Sequence, residues 1–325
     1  SSCPRGQSIG TNIHMTDALE IGENLQHTLK SEIGCSGTGL HTGNTVSIVL
    51  KPAPEDTGIV FRRTDKAGNN AELEALVDNV VEATLCTTLG NDEGIKIATV
   101  EHLLAALAGC RIDNVYVEVD GPEMPIMDGS AAPFVFLIEC AGVVEQNKTR
   151  RVIEVLKRIE ISDGDREASL SPGDGFSVGF EIDFDSDAIG KQDKSVRLVN
   201  GTFKGEISRA RTFGFAEEVE QLRKMGLARG GSLDNAVVVS GDTILNEGGL
   251  RFDDEFVRHK ILDCIGDLYL AGGPVIGEVI ASRSGHELNN QLLRAVFADD
   301  DAWTRVDAAA QTDLRPLLQA SSAVA

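Results

Sequence analysis

The sequence predicts a protein of mixed strands and helices that is divided into two domains. A chain of 325 residues is long enough for two domains of ordinary size. Both halves contain short segments in which apolar and polar residues alternate, as in half-buried strands, and both contain apolar segments with helical spacing. A polar, basic stretch at residues 146–151 separates the halves, and we place the domain boundary there.

The composition predicts a folded protein with an acidic surface. Hydrophobic residues make up 42% of the chain, which allows sizeable cores, and the formal net charge of −21 argues against nucleic acid as a general partner. The six cysteines form no C-x-x-C pair, so we interpret them as reduced core residues. We see neither a basic, apolar leader nor an apolar run long enough to cross a bilayer, and we therefore expect a soluble, cytoplasmic protein. We also expect it to be a monomer.

The first domain is expected over residues 29–148. Residues 1–28 are weakly patterned and predict a loose N-terminal extension, in which Met15 is a plausible natural start. A glycine-rich turn region then leads into several predicted strands, which lie at residues 45–50, 59–61, 83–89 and 113–119. Hairpin turns explain the glycine cluster at least as well as phosphate binding does.

Residues 99–109 predict a helix with a polar first turn. Thr99 is a suitable N-cap, the body is rich in Leu and Ala, and Gly109 is a suitable C-cap. Glu101 and His102 would then lie beside the exposed N–H groups at the start of the helix. Glu101 either compensates the helix dipole or acts as a base next to a metal ligand, and the local pattern leaves both readings open. A second apolar helix is predicted at residues 131–141.

The second domain is expected over residues 149–318, with a frayed tail at residues 319–325. Strands are predicted at 152–161, 176–184, 236–239 and 275–281, with a turn-rich segment at 162–175, and helices are predicted at 217–225, 253–267 and 291–297.

The helix at 253–267 carries the pattern most typical of a reactive site. His259 and Asp263 are four residues apart, so they lie on the same helix face, and Asp267 lies one turn further along. An imidazole and a carboxylate at this spacing can be two ligands of a zinc-like ion, with a third ligand from elsewhere. The alternative is an ordinary polar pair on a helix surface.

A weak internal repeat indicates the source of the third ligand. His102 and His259 each lie near the start of an apolar helix, and each is followed seven residues later by a glycine, Gly109 or Gly266. Two related halves packed together would bring these two helices to one interface. With Asp263, the two histidines would leave one zinc position open for water, which is the catalytic arrangement.

Three further polar residues complete this hypothetical site. Glu101 would be the general base, and His286 would be an acid or a cation that stabilises an oxyanion. Asp267 could orient His286 and keep it protonated. From residue types alone, a structural role for this group of residues remains as plausible as a catalytic role.

From about residue 29 onward, the chain resembles the UDP-3-O-acyl-N-acetylglucosamine deacetylases, the zinc amidases of lipid A synthesis. The resemblance is carried by six blocks: GTGLHTG at 37–43, TVEH at 99–102, EMPIMDGS at 123–130, SRARTFG at 208–214, RHKILD at 258–263 and SGHELNN at 284–290. It implies an α+β fold of two domains with similar topology, each layering helices on a sheet, with the active site at the interface between the domains. It also implies a strand–helix–strand insert around residues 214–240 that forms the passage for the acyl chain.

The resemblance implies a role for each matching position. The zinc ligands would be His102, His259 and Asp263, and the catalytic residues would be Glu101, His286, Asp267 and Thr212, with Thr212 holding the reacting carbonyl. The substrate contacts would be Phe213, Lys260 and Arg283. Arg283 stands where other members of the family can carry lysine, so the charge is retained while the geometry can differ.

The implied reaction removes acetate from UDP-3-O-acyl-N-acetylglucosamine to give UDP-3-O-acyl-glucosamine, the committed step of lipid A synthesis, with Zn²⁺ as cofactor. The implied partner is the UDP-linked acylated aminosugar. The main alternative is a nucleotide-sugar or acyl-lipid binding protein in which the zinc is structural. A further alternative is the same amidase chemistry on another acylated sugar.

Overall fold

The computed structural model describes residues 24–308, apart from residues 67, 69, 70 and 200. The predicted tail at 319–325 and Met15 lie outside the described residues, as does most of the predicted N-terminal extension. Within the described part, the chain forms mixed sheets and helices, which confirms the predicted α+β class. Leu25–Leu29 is a strand, β1, so the end of the stretch predicted to be loose is ordered.

The first half contains ten strands and two α-helices among the described residues. The other strands are β2 (Ile33–Thr38), β3 (Thr45–Pro52), β4 (Ile59–Arg63), β5 (Glu72–Glu74), β6 (Val80–Glu82), β7 (Thr88–Gly90), β8 (Lys96–Ile97), β9 (Val115–Val119) and β10 (Val143–Thr149); the helices are α1 (Glu101–Gly109) and α2 (Ala132–Ala141).

The described residues of the second half form ten strands and three α-helices. The strands are β11 (Arg151–Val155), β12 (Ile159–Asp163), β13 (Arg166–Ser171), β14 (Phe176–Asp183), β15 (Lys191–Arg197), β16 (Phe213–Phe215), β17 (Val237–Ser240), β18 (Thr243–Ile244), β19 (Val275–Ser282) and β20 (Trp303–Asp307); the helices are α3 (Ala216–Lys224), α4 (Glu255–Leu268) and α5 (His286–Phe297).

The two halves have the same topology. The first half has a sheet of strand order β2-β3-β9-β4-β5, and the second half contains the matching order β12-β13-β19-β14-β15, extended by β11 and β20. In each half the central strand is antiparallel to one neighbour and parallel to the other. A helix precedes each central strand and another follows it, and a small three-stranded sheet comes before the first of these helices.

Helices α1 and α4 pack against each other, so the two histidine-bearing helices meet as the internal repeat predicts. The first seven residues of α1 are all buried, which explains why its sequence is apolar on every side. Gly266 of α4 allows a close approach, because a Cβ atom there would lie 2.1 Å from the Glu101 carbonyl oxygen.

Several predicted strands differ from the observed ones. In the predicted strand at 83–89, only residues 88–89 are in a strand, β7, and residues 83–87 connect β6 to β7. The predicted strand at 152–161 is two strands, β11 and β12, and the turn-rich segment at 162–175 contains β13, which pairs with the central strand β19. Strand β15 escaped prediction because it lies at the sheet edge and six of its seven residues are charged or polar, so it lacks the apolar–polar alternation that predicts a half-buried strand.

The helix ends also differ from expectation. Thr99 adopts a φ of +60° and does not cap α1, whose N-cap position is Val100, and Gly109 is the last helical residue rather than the C-cap. Helix α5 begins at His286, five residues before the predicted start. None of the helices in the described part of the chain has both the length and the apolar composition needed to cross a membrane.

Candidate active site

The three predicted metal ligands come together between α1 and α4. His102, His259 and Asp263 each offer one ligand atom, and these atoms all lie within 4.8 Å of one another. Asp263 Oδ1 lies 3.2 Å from His259 Nε2 and 3.6 Å from His102 Nε2, and all three residues are buried. Two imidazole nitrogens and a carboxylate oxygen converging in this way can hold a metal ion.

Two further observations fit a cation at this position. Asp263 Oδ1 is buried, and no described donor makes a hydrogen bond to it, which is costly for a carboxylate unless a cation is present. His259 Nδ1 lies 3.0 Å from the Ala210 carbonyl oxygen, so this nitrogen carries the proton and leaves Nε2 as an electron-pair donor. Burial alone would raise the pKa of Asp263, but His259, Lys260 and His286 outweigh it and hold that pKa well below its ordinary value.

Glu101 lies in the first turn of α1, beside the metal-ligand group. Its Oε2 accepts a hydrogen bond from the Thr87 backbone N–H at 3.0 Å, and its Oε1 lies 3.7 Å from His286 Nε2. Burial raises the pKa of Glu101 to about 7, with the negative charges of Asp267 and Asp263 acting in the same direction and His286 opposing them. The carboxyl group can therefore gain and lose a proton near neutral pH.

His286 is the first residue of α5, and its ring is held from behind by Asp267 of α4. The Nδ1–H group donates to Asp267 Oδ2 at 2.9 Å, while Nε2 points toward Glu101 and toward Asp263 Oδ2, 3.9 Å away. Burial would lower the pKa of His286, but the three carboxylates of Asp267, Glu101 and Asp263 outweigh it and raise that pKa to about 10. His286 is therefore a cation at neutral pH.

Thr212 and Phe213 lie on the segment that leads into the β16–α3–β17 unit. The Thr212 N–H donates to the Gly129 carbonyl and the Thr212 carbonyl accepts from Val237 N–H, each at 2.8 Å. The Phe213 ring lies 6.4 Å from the His259 ring, centroid to centroid, and makes an edge-to-face contact with Phe256 at 4.9 Å. Phe213 therefore borders the metal-ligand group, and Thr212 precedes it in the chain.

The two predicted cationic substrate contacts are already paired within the protein. Lys260 Nζ donates to Asp263 Oδ2 at 3.2 Å and lies 5.8 Å from the centroid of the Phe213 ring. The Arg283 guanidinium binds Asp165, in the turn between β12 and β13, and Asp183, at the end of β14, so it joins the site only if it leaves these carboxylates. Lys260 thus lies at the site, while Arg283 is bound elsewhere in this conformation.

An ion pair between a buried glutamate and a partly buried arginine, which sequence reasoning missed, supports the second half of the site. Glu255, in the first turn of α4, is fully buried and binds Arg211 through Nε at 2.8 Å and through Nη2 at 3.1 Å. Its carboxylate also accepts hydrogen bonds from the backbone N–H groups of Arg211 and Arg251, at 3.0 and 2.7 Å. Arg211 lies between Ala210, which binds His259, and Thr212, so the pair fixes the segment that surrounds the ligands.

Thr87 and Asn289 were also missed, although both contact the predicted catalytic residues. The Thr87 hydroxyl donates to Asp267 Oδ1 at 2.6 Å, and Asn289 Nδ2 donates to Asp267 Oδ2 at 2.9 Å. Asn289 lies in the block at 284–290 that carries the family resemblance, which is the one signal that could have singled it out. Thr87 lies in a short turn region between two strands, where its residue type gives no signal.

Comparison with known proteins matches residues 26–298 of this chain to the family of UDP-3-O-acyl N-acetylglycosamine deacetylases. Its relatives include proteins named UDP-3-O-acyl-N-acetylglucosamine deacetylase. One, from Acidithiobacillus ferrooxidans, is 54% identical over 284 residues, covering 87% of this chain and 93% of the relative. Another, from Pseudomonas entomophila, is 54% identical over 280 residues (86% and 92%), and one from Shewanella pealeana is 49% identical over 291 residues (89% and 95%). With its fold, its converging polar residues and a match over most of its length, the chain belongs to the family of UDP-3-O-acyl N-acetylglycosamine deacetylases.

Proposed function

We propose that this protein is a zinc-dependent amide hydrolase that removes acetate from UDP-3-O-acyl-N-acetylglucosamine, the step of lipid A synthesis that the family resemblance implies. The observation that carries the proposal is the buried group of His102, His259 and Asp263, with Glu101 and His286 close together beside it. Metal ligands, a proton acceptor near neutral pH and a fixed cation are the parts that amide hydrolysis needs.

Zinc suits the ligand set of His102, His259 and Asp263. A structural zinc site is closed by four protein ligands, whereas the group found among the described residues offers three, which favours a catalytic site. A zinc ion held there would supply Lewis-acid polarisation of the amide carbonyl and would lower the pKa of water to about 7.

Glu101 would accept the proton of the attacking water. A general base works best when its pKa lies near the working pH, and burial gives Glu101 a pKa of about 7. The Thr87 N–H holds one carboxylate oxygen, so the other oxygen is left to face the reacting centre. Once protonated, Glu101 could return that proton to the leaving amine.

His286 would act as the fixed cation of the site. With Asp267 behind it, its protonated ring can donate from Nε2 to the oxyanion that forms as the amide carbonyl is attacked. The leaving amine can also take its proton from Nε2 of His286. Glu101 and His286 are thus two routes for this proton, and the variant described in the Discussion separates them.

The remaining predicted residues would bind the substrate. The Thr212 hydroxyl would donate to the reacting carbonyl, and Phe213 would contact the sugar beside His259. Lys260, which lies at the edge of the ligand group, would move from Asp263 toward the diphosphate. The β16–α3–β17 unit begins at Phe213 and would provide the passage for the acyl chain, as the resemblance implies.

A binding assay run beside a turnover assay tests this proposal against a nucleotide-sugar binding protein with a structural zinc. The enzyme is expected to release acetate from UDP-3-O-acyl-N-acetylglucosamine at a rate that Glu101→Gln abolishes while substrate binding persists. Binding without acetate release by the unaltered protein would favour the binding protein. Cytoplasmic location and a monomeric state also stay predictions, which cell fractionation and light scattering test.

A further inference from the structure

Thr87 contacts two of the predicted catalytic carboxylates at once. Its backbone N–H donates to Glu101 Oε2 at 3.0 Å, and its hydroxyl donates to Asp267 Oδ1 at 2.6 Å. Thr87 is 1% exposed, so bulk water cannot substitute for either bond. One buried residue of the first half thus connects the base beside the metal ligands to the carboxylate that binds His286.

The two bonds leave each carboxylate with one oxygen facing His286. Glu101 Oε1 lies 3.7 Å from His286 Nε2, and Asp267 Oδ2 accepts the His286 Nδ1–H at 2.9 Å. The terminal torsion of a carboxylate side chain is soft, so an aspartate bound only through Oδ2 can rotate about its last carbon–carbon bond. The Thr87 hydroxyl fixes that rotation from the opposite oxygen.

We propose that Thr87 is a positioning residue, which acts through Asp267 to set the orientation of the His286 ring relative to Glu101. The inference rests on the proposed function, because the orientation matters only if Glu101 and His286 act together on a substrate. Thr87 itself need not touch the substrate. A displacement of about 1 Å in such a pair can lower a rate by about 100-fold.

The neighbouring Thr88 provides a matched control. Thr88 is also a buried threonine, with 4% exposure, but its hydroxyl contacts Cys86 Sγ at 3.7 Å rather than a carboxylate of the site. Replacing either threonine by valine removes a hydroxyl and keeps the β-branched shape of the side chain. Any effect specific to Thr87 therefore reports its bond to Asp267.

The kinetic test compares Thr87→Val, Thr87→Ser and Thr88→Val in the metal-loaded, full-length protein. We expect Thr87→Val to lower kcat by about 10- to 100-fold at nearly constant KM, Thr87→Ser to restore most of kcat, and Thr88→Val to behave as wild type. Wild-type kcat in Thr87→Val would overturn the inference, and so would a Thr87→Ser variant as slow as Thr87→Val. If Thr87→Val fails to purify with its metal, Thr87→Ala removes the same hydroxyl without added bulk.

A second readout is independent of turnover. In protein labelled with ¹⁵N-histidine, the Nδ1–H resonance of His286 is assigned by its loss in His286→Gln. It is expected to shift or broaden in Thr87→Val and to stay in place in Thr88→Val. An unmoved resonance in Thr87→Val would overturn the inference even if kcat fell. Absence of acetate release by the wild type would instead contradict the proposed function, and the resonance test would still stand.

Discussion

Gly266 of α4 lies directly against the main chain of Glu101 in α1. A Cβ atom at Gly266 would be 2.1 Å from the Glu101 carbonyl oxygen and 3.2 Å from the Ala105 nitrogen, distances at which the two helices must separate. The glycine seven residues after His259, noticed in sequence as half of a weak repeat, thus sets how closely the predicted base approaches the predicted ligands of α4.

Replacing this glycine should therefore damage both the fold and the site. Gly266→Ala is expected to lower the free energy of unfolding by about 1–3 kcal/mol, the usual range for overpacking a core, and to reduce turnover because Glu101 moves. Urea unfolding of the metal-loaded protein measures the first effect. Gly248→Ala is the control, since nothing lies within 4 Å of a Cβ atom there; equal stability of the two variants would show that the helices can adjust.

Glu101→Gln separates metal binding from proton transfer. The amide keeps the size of the side chain and leaves His102, His259 and Asp263 intact, so the metal content should be unchanged. Because an amide cannot accept the proton of water, kcat/KM should fall by about 10²- to 10⁴-fold. The control is Glu139→Gln, which changes an exposed carboxylate of α2 that pairs with Lys204, and this variant is expected to retain full activity. Activity within a few-fold of wild type in Glu101→Gln would remove Glu101 from the role of base.

The rate should depend on pH in a bell shape. Activity is expected to rise as Glu101 loses its proton through a pKa of about 7 and to fall as His286 loses its proton through a pKa of about 10. His286→Gln should abolish the alkaline limb and leave the acid limb in place. An unchanged alkaline limb in that variant would rule out His286 as the group that titrates there, and the leaving amine would then receive its proton from Glu101.

The Arg211–Glu255 ion pair should be important for stability. Glu255→Gln leaves the partly buried Arg211 without its carboxylate, which is expected to cost on the order of 3 kcal/mol. Burial would raise the pKa of Glu255, but Arg211 and two backbone N–H groups outweigh it and hold that pKa below its ordinary value. The ion pair therefore contributes its whole stabilisation above the pKa of a glutamate in the unfolded chain. This stabilisation is lost as the pH falls through the lower pKa that Glu255 has in the folded protein.

Unfolding curves across pH test this ion pair. The difference in stability between wild type and Glu255→Gln is expected to be largest at neutral pH and to shrink in acid. A difference that stays constant as the pH falls would mean that shape rather than charge holds Arg211. Zinc affinity is a second measure, because Arg211 adjoins Ala210, whose carbonyl orients His259.

The sequence predicted the helices that carry the site better than it predicted how these helices pack together. The apolar spacing of α1 and α4 locates both helices, and the four-residue interval from His259 to Asp263 places two ligands on one face. That His102 completes the group depends on the packing of two halves far apart in sequence, for which the repeat is only a weak signal. The family resemblance, rather than residue spacing, singled out Thr212.

Other features could not be predicted because tertiary contacts determine them. The prediction that Thr99 caps α1 was wrong, because that residue adopts a left-handed φ and its hydroxyl donates to Glu123 Oε1 at 3.3 Å. Strand β13 lies in a segment of turn-forming residues and exists because β19 pairs with it. The role of Thr87 depends on two bonds, one of which spans 180 residues of sequence.

The dependence of acetate release on the metal tests the central claim most directly. Purified protein is assayed on UDP-3-O-acyl-N-acetylglucosamine before and after chelation, and after zinc is restored, with the metal content measured at each stage and in His259→Ala. We predict that acetate release follows the zinc content, disappears with the chelator, returns with zinc, and is absent from His259→Ala, which binds no metal. Full acetate release by protein that carries no metal would contradict the proposal.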